Sequence, residues 1–120
     1  MNREMRSREG QDILLDTRML AMIAESWCSG ISLTHPDVDA GAVDYRQFPP
    51  ALLCYGAGEL FAPYVREIGR TLLTRIRSAQ VYEGPAHCHD WMLAGFLPEA
   101  RAMRENIAAF IGGSRYQTKE

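Results

Sequence analysis

The sequence predicts an α/β domain built around a parallel strand–helix–strand unit. The first observation is an apolar run, Ala51–Tyr55, which lies between Pro49-Pro50 and Gly56 and does not alternate with polar residues. Such a run is typical of a strand buried on both faces, as in a parallel sheet covered by helices. The second observation is an apolar stripe at helical spacing over residues 63–77, followed by the short segment Gln80–Tyr82. Together they predict a strand, a crossover helix and a second, parallel strand.

Length and charge exclude several classes of protein. The chain has 120 residues, 47% of them hydrophobic and 23% charged, which is ordinary for one globular domain. A formal net charge of −2 argues against a nucleic-acid partner. No apolar run approaches the roughly 20 residues of a membrane-spanning helix. We therefore expect a chain with no nucleic-acid partner and no membrane span.

The first ten residues and the cysteines bear on the compartment. Residues 1–10 are polar, lack the apolar stretch of a secretory signal and are expected to form a frayed tail. Three cysteines, Cys28, Cys54 and Cys88, are odd in number and widely spaced, which fits a reducing compartment better than a disulfide framework. The sequence thus predicts a cytoplasmic protein.

Two further helices and a long connection complete the predicted domain over residues 11–113. Asp16 is a good N-cap for an amphipathic helix near 17–28, whose Met side chains and Trp27 are expected in the core. Residues 30–49 are rich in turn formers and predict an irregular connection. A last helix starts at Pro98, ends at Gly112-Gly113 and is followed by a polar tail, 114–120. Its expected buried face comprises Ala100, Met103, Ile107, Phe110 and Ile111.

Glu59 and two histidines follow the predicted strands, at the end of a parallel sheet where ligands commonly bind. Glu59 follows the first predicted strand, and His87 and His89 follow the second. Ligands bind at the carboxyl ends of strands in such sheets. A carboxylate there can hold an imidazole in one tautomer and stabilise the imidazolium that forms during proton transfer. Alternatively, Glu59 is a solvated loop residue and the histidines are structural.

Metal and cofactor sites are weaker interpretations of the same residues. His87 and His89 could bind a metal, but further ligands would have to come from Cys54, His35 or Cys28 by folding alone. The glycines of Gly56-Ala57-Gly58 do not form a phosphate loop, and the following carboxylate would repel a phosphate. No cofactor and no metal are expected.

The order of the motifs resembles a known family. The chain contains Asp12-Ile-Leu-Leu-Asp16 before a helix, a His35-Pro36 loop ending in Phe48-Pro49-Pro50, Ala51-Leu-Leu-Cys-Tyr-Gly-Ala-Gly-Glu59, Val81-Tyr-Glu-Gly84, a His-x-aromatic and Leu97-Pro-Glu-Ala100. Over about residues 11–112 this resembles the C-terminal portion of the α/β-hydrolase fold, and within it the hormone-sensitive-lipase-like (α/β-hydrolase fold-3) esterases. The resemblance implies a partial α/β-hydrolase fold and a carboxylic-ester hydrolase.

The resemblance also implies residue roles. The family's triad runs Ser, Asp or Glu, then His. It places the acid on Glu59, where many members carry Asp. His87 satisfies a Gly-x-x-His pattern, whereas His89 precedes Asp90-Trp91 in a His-x-aromatic pattern with the more usual spacing to the final helix. We favour His89 as the triad histidine and keep His87 as the alternative.

The nucleophile of the family is missing from these 120 residues. None of the serines, Ser7, Ser26, Ser29, Ser32, Ser78 and Ser114, lies in a Gly-x-Ser-x-Gly motif, and there is no His-Gly-Gly run. The chain is therefore expected to be a fragment that is inactive alone and acts on an ester only when an N-terminal half completes it. Alternatively, it is a non-catalytic interaction module or a truncated gene product. An unpaired sheet edge favours self-association in either case.

Overall fold

The computed structural model describes residues 3–116. The helices are α1 (Arg3–Arg6), α2 (Thr17–Cys28), α3 (Ala62–Arg75) and α4 (Pro98–Tyr116), and the strands are β1 (Leu52–Gly56) and β2 (Gln80–Gly84). Three short 3₁₀ helices cover Ala40–Ala42, Tyr45–Gln47 and Trp91–Leu93. No helix within residues 3–116 combines the length and the apolar character needed to cross a membrane.

The predicted strand–helix–strand unit is present. β1 and β2 pair in parallel, with Leu52 opposite Gln80 and Gly56 opposite Gly84. α3 connects them, and Gly69 of α3 lies so close to the sheet that a Cβ there would stand 3.0 Å from Cγ1 of Val81. The missing side chain lets the helix approach the sheet. Because the carboxyl ends of both strands lie at one edge of the sheet, the residues that follow them are brought together.

The chain divides into two compact units, one ending at His89 and one beginning at Asp90. The core of the first unit joins α3 to the connection before β1. Its buried members are Tyr45, Ile68, Leu72 and Ile76, with Val43, Ala51, Leu53, Tyr64 and Ala79 packed against them. Tyr45, near the end of the irregular connection, therefore anchors that connection to α3.

The second unit contains α4. Ala100 and Met103 are buried, as the helical spacing predicts. The guanidinium of Arg104 donates a hydrogen bond of 2.7 Å to the carbonyl oxygen of Met92. This bond ties α4 to the 3₁₀ turn in front of it.

Several expectations about the helices are wrong. α4 passes through Gly112-Gly113 to Tyr116, and neither glycine adopts the positive φ of a helix C-cap. Ile111 of the expected buried face is 47% exposed. Residues 3–6 form a short helix instead of a frayed segment, and Met5 in it is buried. Of the expected C-terminal tail, residues 117–120 lie outside the described part.

α2 differs from the sequence prediction in its packing. Its bounds are those expected, and the Asp16 carboxylate accepts a hydrogen bond from the Met19 amide as the N-cap. Met22 and Trp27, however, are 60% and 79% exposed instead of lying in the core, and Ile23 on the same face is 54% exposed. The periodicity correctly indicates an apolar face, but no described residue covers that face. β1 shows the same pattern, since Leu52, Leu53 and Cys54 are only half-buried.

Candidate active site

The turn after β1 folds the Glu59 side chain back onto the end of the strand. The Glu59 amide donates to the carbonyl oxygen of Gly56 at 3.2 Å. The Gly56 amide in turn donates to Oε2 of Glu59 at 3.3 Å. The residue is only 3% exposed, so it is not the solvated loop residue that position alone allows. Its carboxylate is a buried group at the carboxyl end of the sheet.

The loop after β2 packs its backbone against the same turn. The Ala57 amide donates to the carbonyl oxygens of Gly84 at 3.3 Å and Pro85 at 3.0 Å. A Cβ on Gly56 would overlap the carbonyl oxygen of His87, and one on Gly58 would stand 2.9 Å from the carbonyl group of Ala86. The two glycines of the Gly-Ala-Gly motif therefore allow two loop backbones to touch.

His89 meets Glu59 at this junction. Nδ1 of His89 lies 3.4 Å from Oε2 of Glu59, and the His89 side chain is 34% exposed whereas that of Glu59 is 4% exposed. The ring of Phe61 contacts the imidazole edge-on, with the ring centroids 5.9 Å apart. The structure thus brings together a buried carboxylate and a half-exposed imidazole, the pair favoured on sequence grounds.

This arrangement can position a general base. A carboxylate beside Nδ1 favours the tautomer with a proton on Nδ1, which leaves Nε2 to accept a proton from a nucleophile. The same carboxylate stabilises the imidazolium that results. Catalytic hydrogen bonds are often longer in structures without substrate than in the reacting complex, so 3.4 Å fits this role.

The electrostatics of Glu59 are set by its burial. Burial raises the pKa of the Glu59 carboxyl above its usual value. The Gly56 amide and His89 oppose the shift, and the nearby carboxylate of Asp12 adds to it. The site therefore holds Glu59 in an environment that disfavours its charge unless a cation stands beside it.

The alternative histidine, His87, lies in the same loop. Its amide donates to the carbonyl oxygen of Pro85 at 2.6 Å, and its own carbonyl faces Gly56. His35, one of the ligands considered for a metal, has Nδ1 3.7 Å from the carboxylate of Asp37 on an exposed loop. Within residues 3–116 no group of three or more histidine, cysteine or acidic side chains is arranged to hold a metal ion.

Sequence reasoning gave no role to Asp12, which the structure places beside the dyad. Asp12 is 6% exposed. Its Oδ2 accepts hydrogen bonds from the amides of Leu60 at 3.1 Å and His89 at 3.2 Å. These partners stand 48 and 77 residues away in the chain, so no local pattern could have pointed to them.

Comparison with known proteins bears on the family. The chain is 29% identical over 106 residues to an acetyl-hydrolase of Streptomyces hygroscopicus, a match that covers 88% of this chain and 36% of the relative. A scan against models of protein families finds no match.

Two solved structures share the fold. An esterase/lipase from an uncultured bacterium superposes with a TM-score of 0.77 at 17% identity, and EstE5 superposes with a TM-score of 0.79 at 17% identity. Each comparison covers 98% of this chain, but only 38% and 39% of the respective structures. The chain therefore spans well under half the length of the relatives it matches. The fold expected from the sequence motifs is confirmed: the chain has the fold of part of an α/β-hydrolase, and its sequence is similar to that of an acetyl-hydrolase.

Proposed function

We propose that Glu59 and His89 are the acid and the histidine of a serine-type ester hydrolase. The observation that carries the proposal is the 3.4 Å approach of His89 Nδ1 to the buried Glu59 carboxylate at the carboxyl ends of adjacent parallel strands. The relationship to an acetyl-hydrolase supports a short acyl ester as the substrate class.

The proposed chemistry follows from the geometry. Nε2 of His89 takes the hydroxyl proton of a serine as that serine attacks the ester carbonyl carbon. His89 then gives the proton to the departing alcohol, which leaves an acyl-serine. Water, deprotonated by the same imidazole, then attacks the acyl carbon. The bond to the serine oxygen breaks, the carboxylic acid leaves, and the imidazolium returns its proton to the serine. Glu59 holds the ring and stabilises its positive charge throughout.

The serine is proposed to come from outside these 120 residues. None of the serines of the chain lies in a Gly-x-Ser-x-Gly motif, and the chain spans 36% to 39% of its relatives. We therefore propose that the chain alone does not hydrolyse esters. The remainder of a hydrolase domain would supply the nucleophile and the oxyanion-hole donors.

The first experiment reads the coding DNA upstream of Met1 in all forward frames. If it encodes a Gly-x-Ser-x-Gly segment, the joined reading frame is expressed and assayed with p-nitrophenyl acetate. Otherwise the chain is co-expressed with the part of the Streptomyces hygroscopicus acetyl-hydrolase that it does not cover. His89→Ala and Glu59→Gln should lower kcat by roughly 10⁴-fold or more, since triad members act as a unit.

The histidine assignment has a matched control in His87→Ala. If His87→Ala abolishes activity and His89→Ala does not, the assignment is wrong although a hydrolase remains. If neither Glu59→Gln nor His89→Ala matters in an active protein, the proposed site is wrong. Labelling of the 120-residue chain itself by a fluorophosphonate would overturn the proposal that its nucleophile lies elsewhere.

The exposed apolar face of α2 favours a second candidate, a non-catalytic interaction module. Met22, Ile23 and Trp27 line a shallow cavity on that face with Ser26.

Among the described residues β1 pairs only with β2, which leaves one edge of β1 open to another strand. Self-association through this edge is the form of interaction we propose. Concentration-dependent sedimentation of a chain with no upstream hydrolase segment would favour this candidate.

A cytoplasmic location is part of the proposal. Cys28, Cys54 and Cys88 are all free thiols in the structure, which supports a reducing compartment. Fractionation of the native host tests it, with recovery in the membrane or external fraction as the contrary result.

A further inference from the structure

Asp12 is a buried carboxylate whose two oxygens serve different parts of the chain. Oδ1 accepts hydrogen bonds from the amides of Leu14 at 2.9 Å and Leu15 at 3.3 Å, within its own turn. Oδ2 accepts from the amides of Leu60 at 3.1 Å and His89 at 3.2 Å. One side chain therefore joins the segment before α2 to both loops of the candidate active site.

A purely local role accounts for only half of this arrangement. Aspartate commonly closes a turn by accepting from amides two or three residues ahead, and one oxygen is enough for that. Burying the charge of Asp12 is costly unless its remaining lone pairs also find donors. The structure supplies those donors from the residue directly after Glu59 and from His89 itself.

The two distant amides lie next to the reacting groups. The Leu60 amide belongs to the peptide unit that contains the Glu59 carbonyl, and the His89 amide lies on the backbone that carries the imidazole. A single oxygen that accepts from both fixes the separation of the two backbones. Hydrogen bonds to a charged acceptor are stronger than those between neutral groups, so these two bonds resist a change in the separation of the backbone segments.

We infer that Asp12 is a positioning residue that sets the geometry of the Glu59–His89 dyad. The inference rests on the proposed function for its catalytic meaning. Asp12 acts through the backbone and does not touch the reacting atoms. In a completed hydrolase its loss misplaces the imidazole, and an error of about 1 Å can cost roughly 10²-fold in rate.

The test measures which ring nitrogen of His89 carries the proton in the 120-residue chain, and it does not require catalytic activity. The ¹⁵N chemical shifts of the ring, recorded above neutral pH, give the ratio of the Nδ1–H to the Nε2–H tautomer. A carboxylate beside Nδ1 favours the first form, so the ratio should fall at least about twofold in Glu59→Gln. Asp12→Ala and Asp12→Asn should lower it in the same direction.

Asp16→Ala is the matched control. Like Asp12, Asp16 is an aspartate, but it directly precedes α2 and is exposed. Its Oδ1 accepts a hydrogen bond from the Met19 amide at 2.7 Å and contacts neither loop of the site. Its loss removes a helix cap and destabilises the helix. The tautomer ratio of His89 should stay at the wild-type value, because general destabilisation does not select one ring nitrogen.

The outcomes separate the two hypotheses. If the tautomer ratio falls in Glu59→Gln but keeps the wild-type value in every folded Asp12 variant, the positioning role is overturned and the dyad stands. If the ratio also keeps the wild-type value in Glu59→Gln, the dyad is overturned, and with it the proposed function. If both Asp12 variants unfold, the wild-type chain decides. Scalar couplings across the hydrogen bonds from the amide nitrogens of Leu60 and His89 to Cγ of Asp12 support the role, and their absence overturns it.

Discussion

The carbonyl oxygen of His87 occupies the space that a Cβ on Gly56 would need. This contact holds the loop after β2 against the last residue of β1. We predict that Gly56→Ala separates the two loops and costs about 1–3 kcal/mol, because backbone cannot move aside as a flexible side chain does. The free energy of unfolding, from urea titration, measures the loss.

Gly95→Ala provides the comparison for that substitution. A Cβ at Gly95 would have nothing within 4 Å, and the residue does not adopt a positive φ. Its unfolding free energy should change by less than about 0.5 kcal/mol. Equal losses in the two variants would show that the backbone approach at Gly56 has no special cost.

Glu59→Gln is expected to stabilise the chain at neutral pH. Burial raises the pKa of Glu59, so folding favours its protonated form. That contribution is complete below the usual pKa of the carboxyl and is lost as the pH rises through the raised value. The ionised carboxylate therefore lowers the stability at neutral pH, and glutamine removes this cost.

The pH dependence distinguishes this effect from simple repacking. The stability gained by Glu59→Gln should grow as the pH rises above about 4.5, the ordinary value for glutamate. The exposed Glu25 offers a control, since Glu25→Gln should change the unfolding free energy at neutral pH by less than about 0.5 kcal/mol. A variant less stable than wild type at neutral pH would contradict the prediction.

Glu83 should stabilise the sheet with the opposite pH dependence. Its carboxylate accepts from the Tyr55 hydroxyl at 2.6 Å and from two nitrogens of Arg66 at 3.0 and 2.8 Å. Hydrogen bonds from Arg66, and then from Tyr55, lower the pKa of Glu83 to about 2. The stability that Glu83 contributes is therefore present above about 4.5 and is lost as the pH falls toward about 2.

Glu83→Gln should cost about 1 kcal/mol at neutral pH, a modest loss because the Glu83 side chain is 38% exposed. The difference from wild type should shrink over the acid range. The exposed ion pair between Arg101 and Glu105 provides the control. Glu105→Gln should change the unfolding free energy by less than about 0.5 kcal/mol, because exposed ion pairs contribute little to stability. A loss at Glu83 that is independent of pH would refute the assignment.

The two tryptophans should report two environments. Trp27 is 79% exposed, whereas Trp91 is 1% exposed. In dilute solution the fluorescence of Trp91→Phe, which retains Trp27, should be red-shifted and quenched by iodide. Trp27→Phe should give blue-shifted, protected emission. If the face of α2 docks onto another chain, raising the protein concentration should protect Trp27, and a protected Trp27 in dilute monomer would contradict the described packing.

The sequence predicted those parts of the fold that depend on local pattern. The bounds of α2 follow from its apolar period and from the Asp16 cap. β1 follows from an apolar run between proline and glycine, and β2 follows from the short segment after the crossover helix. The proximity of Glu59 to His89 follows from one topological rule: the carboxyl ends of adjacent parallel strands lie at the same end of the sheet. The periodicity does not say whether an apolar face is covered, which is why Trp27 was wrongly placed in the core.

The rest depends on contacts that no local pattern encodes. Asp12 looks like an ordinary turn former, and only folding brings its second oxygen to Leu60 and His89. In the sequence, Gly56 and Gly58 indicate only the end of a strand, yet they mark a close approach of two backbones. Gly112 and Gly113 suggest a helix end, but helical propensity is a weak prior and α4 continues through them.

The reach of Asp12 along the chain has a consequence for the order of folding. Its bonds close loops of 48 and 77 residues, so they form only after much chain entropy has been lost. The hydrophobic cluster around Ile68 and Leu72 needs shorter closures within residues 43–79 and is free to form earlier. During synthesis Glu59 and His89 cannot meet until residue 89 has left the ribosome. A nascent chain that has emerged only as far as β2 would therefore carry the hydrophobic cluster but no assembled site.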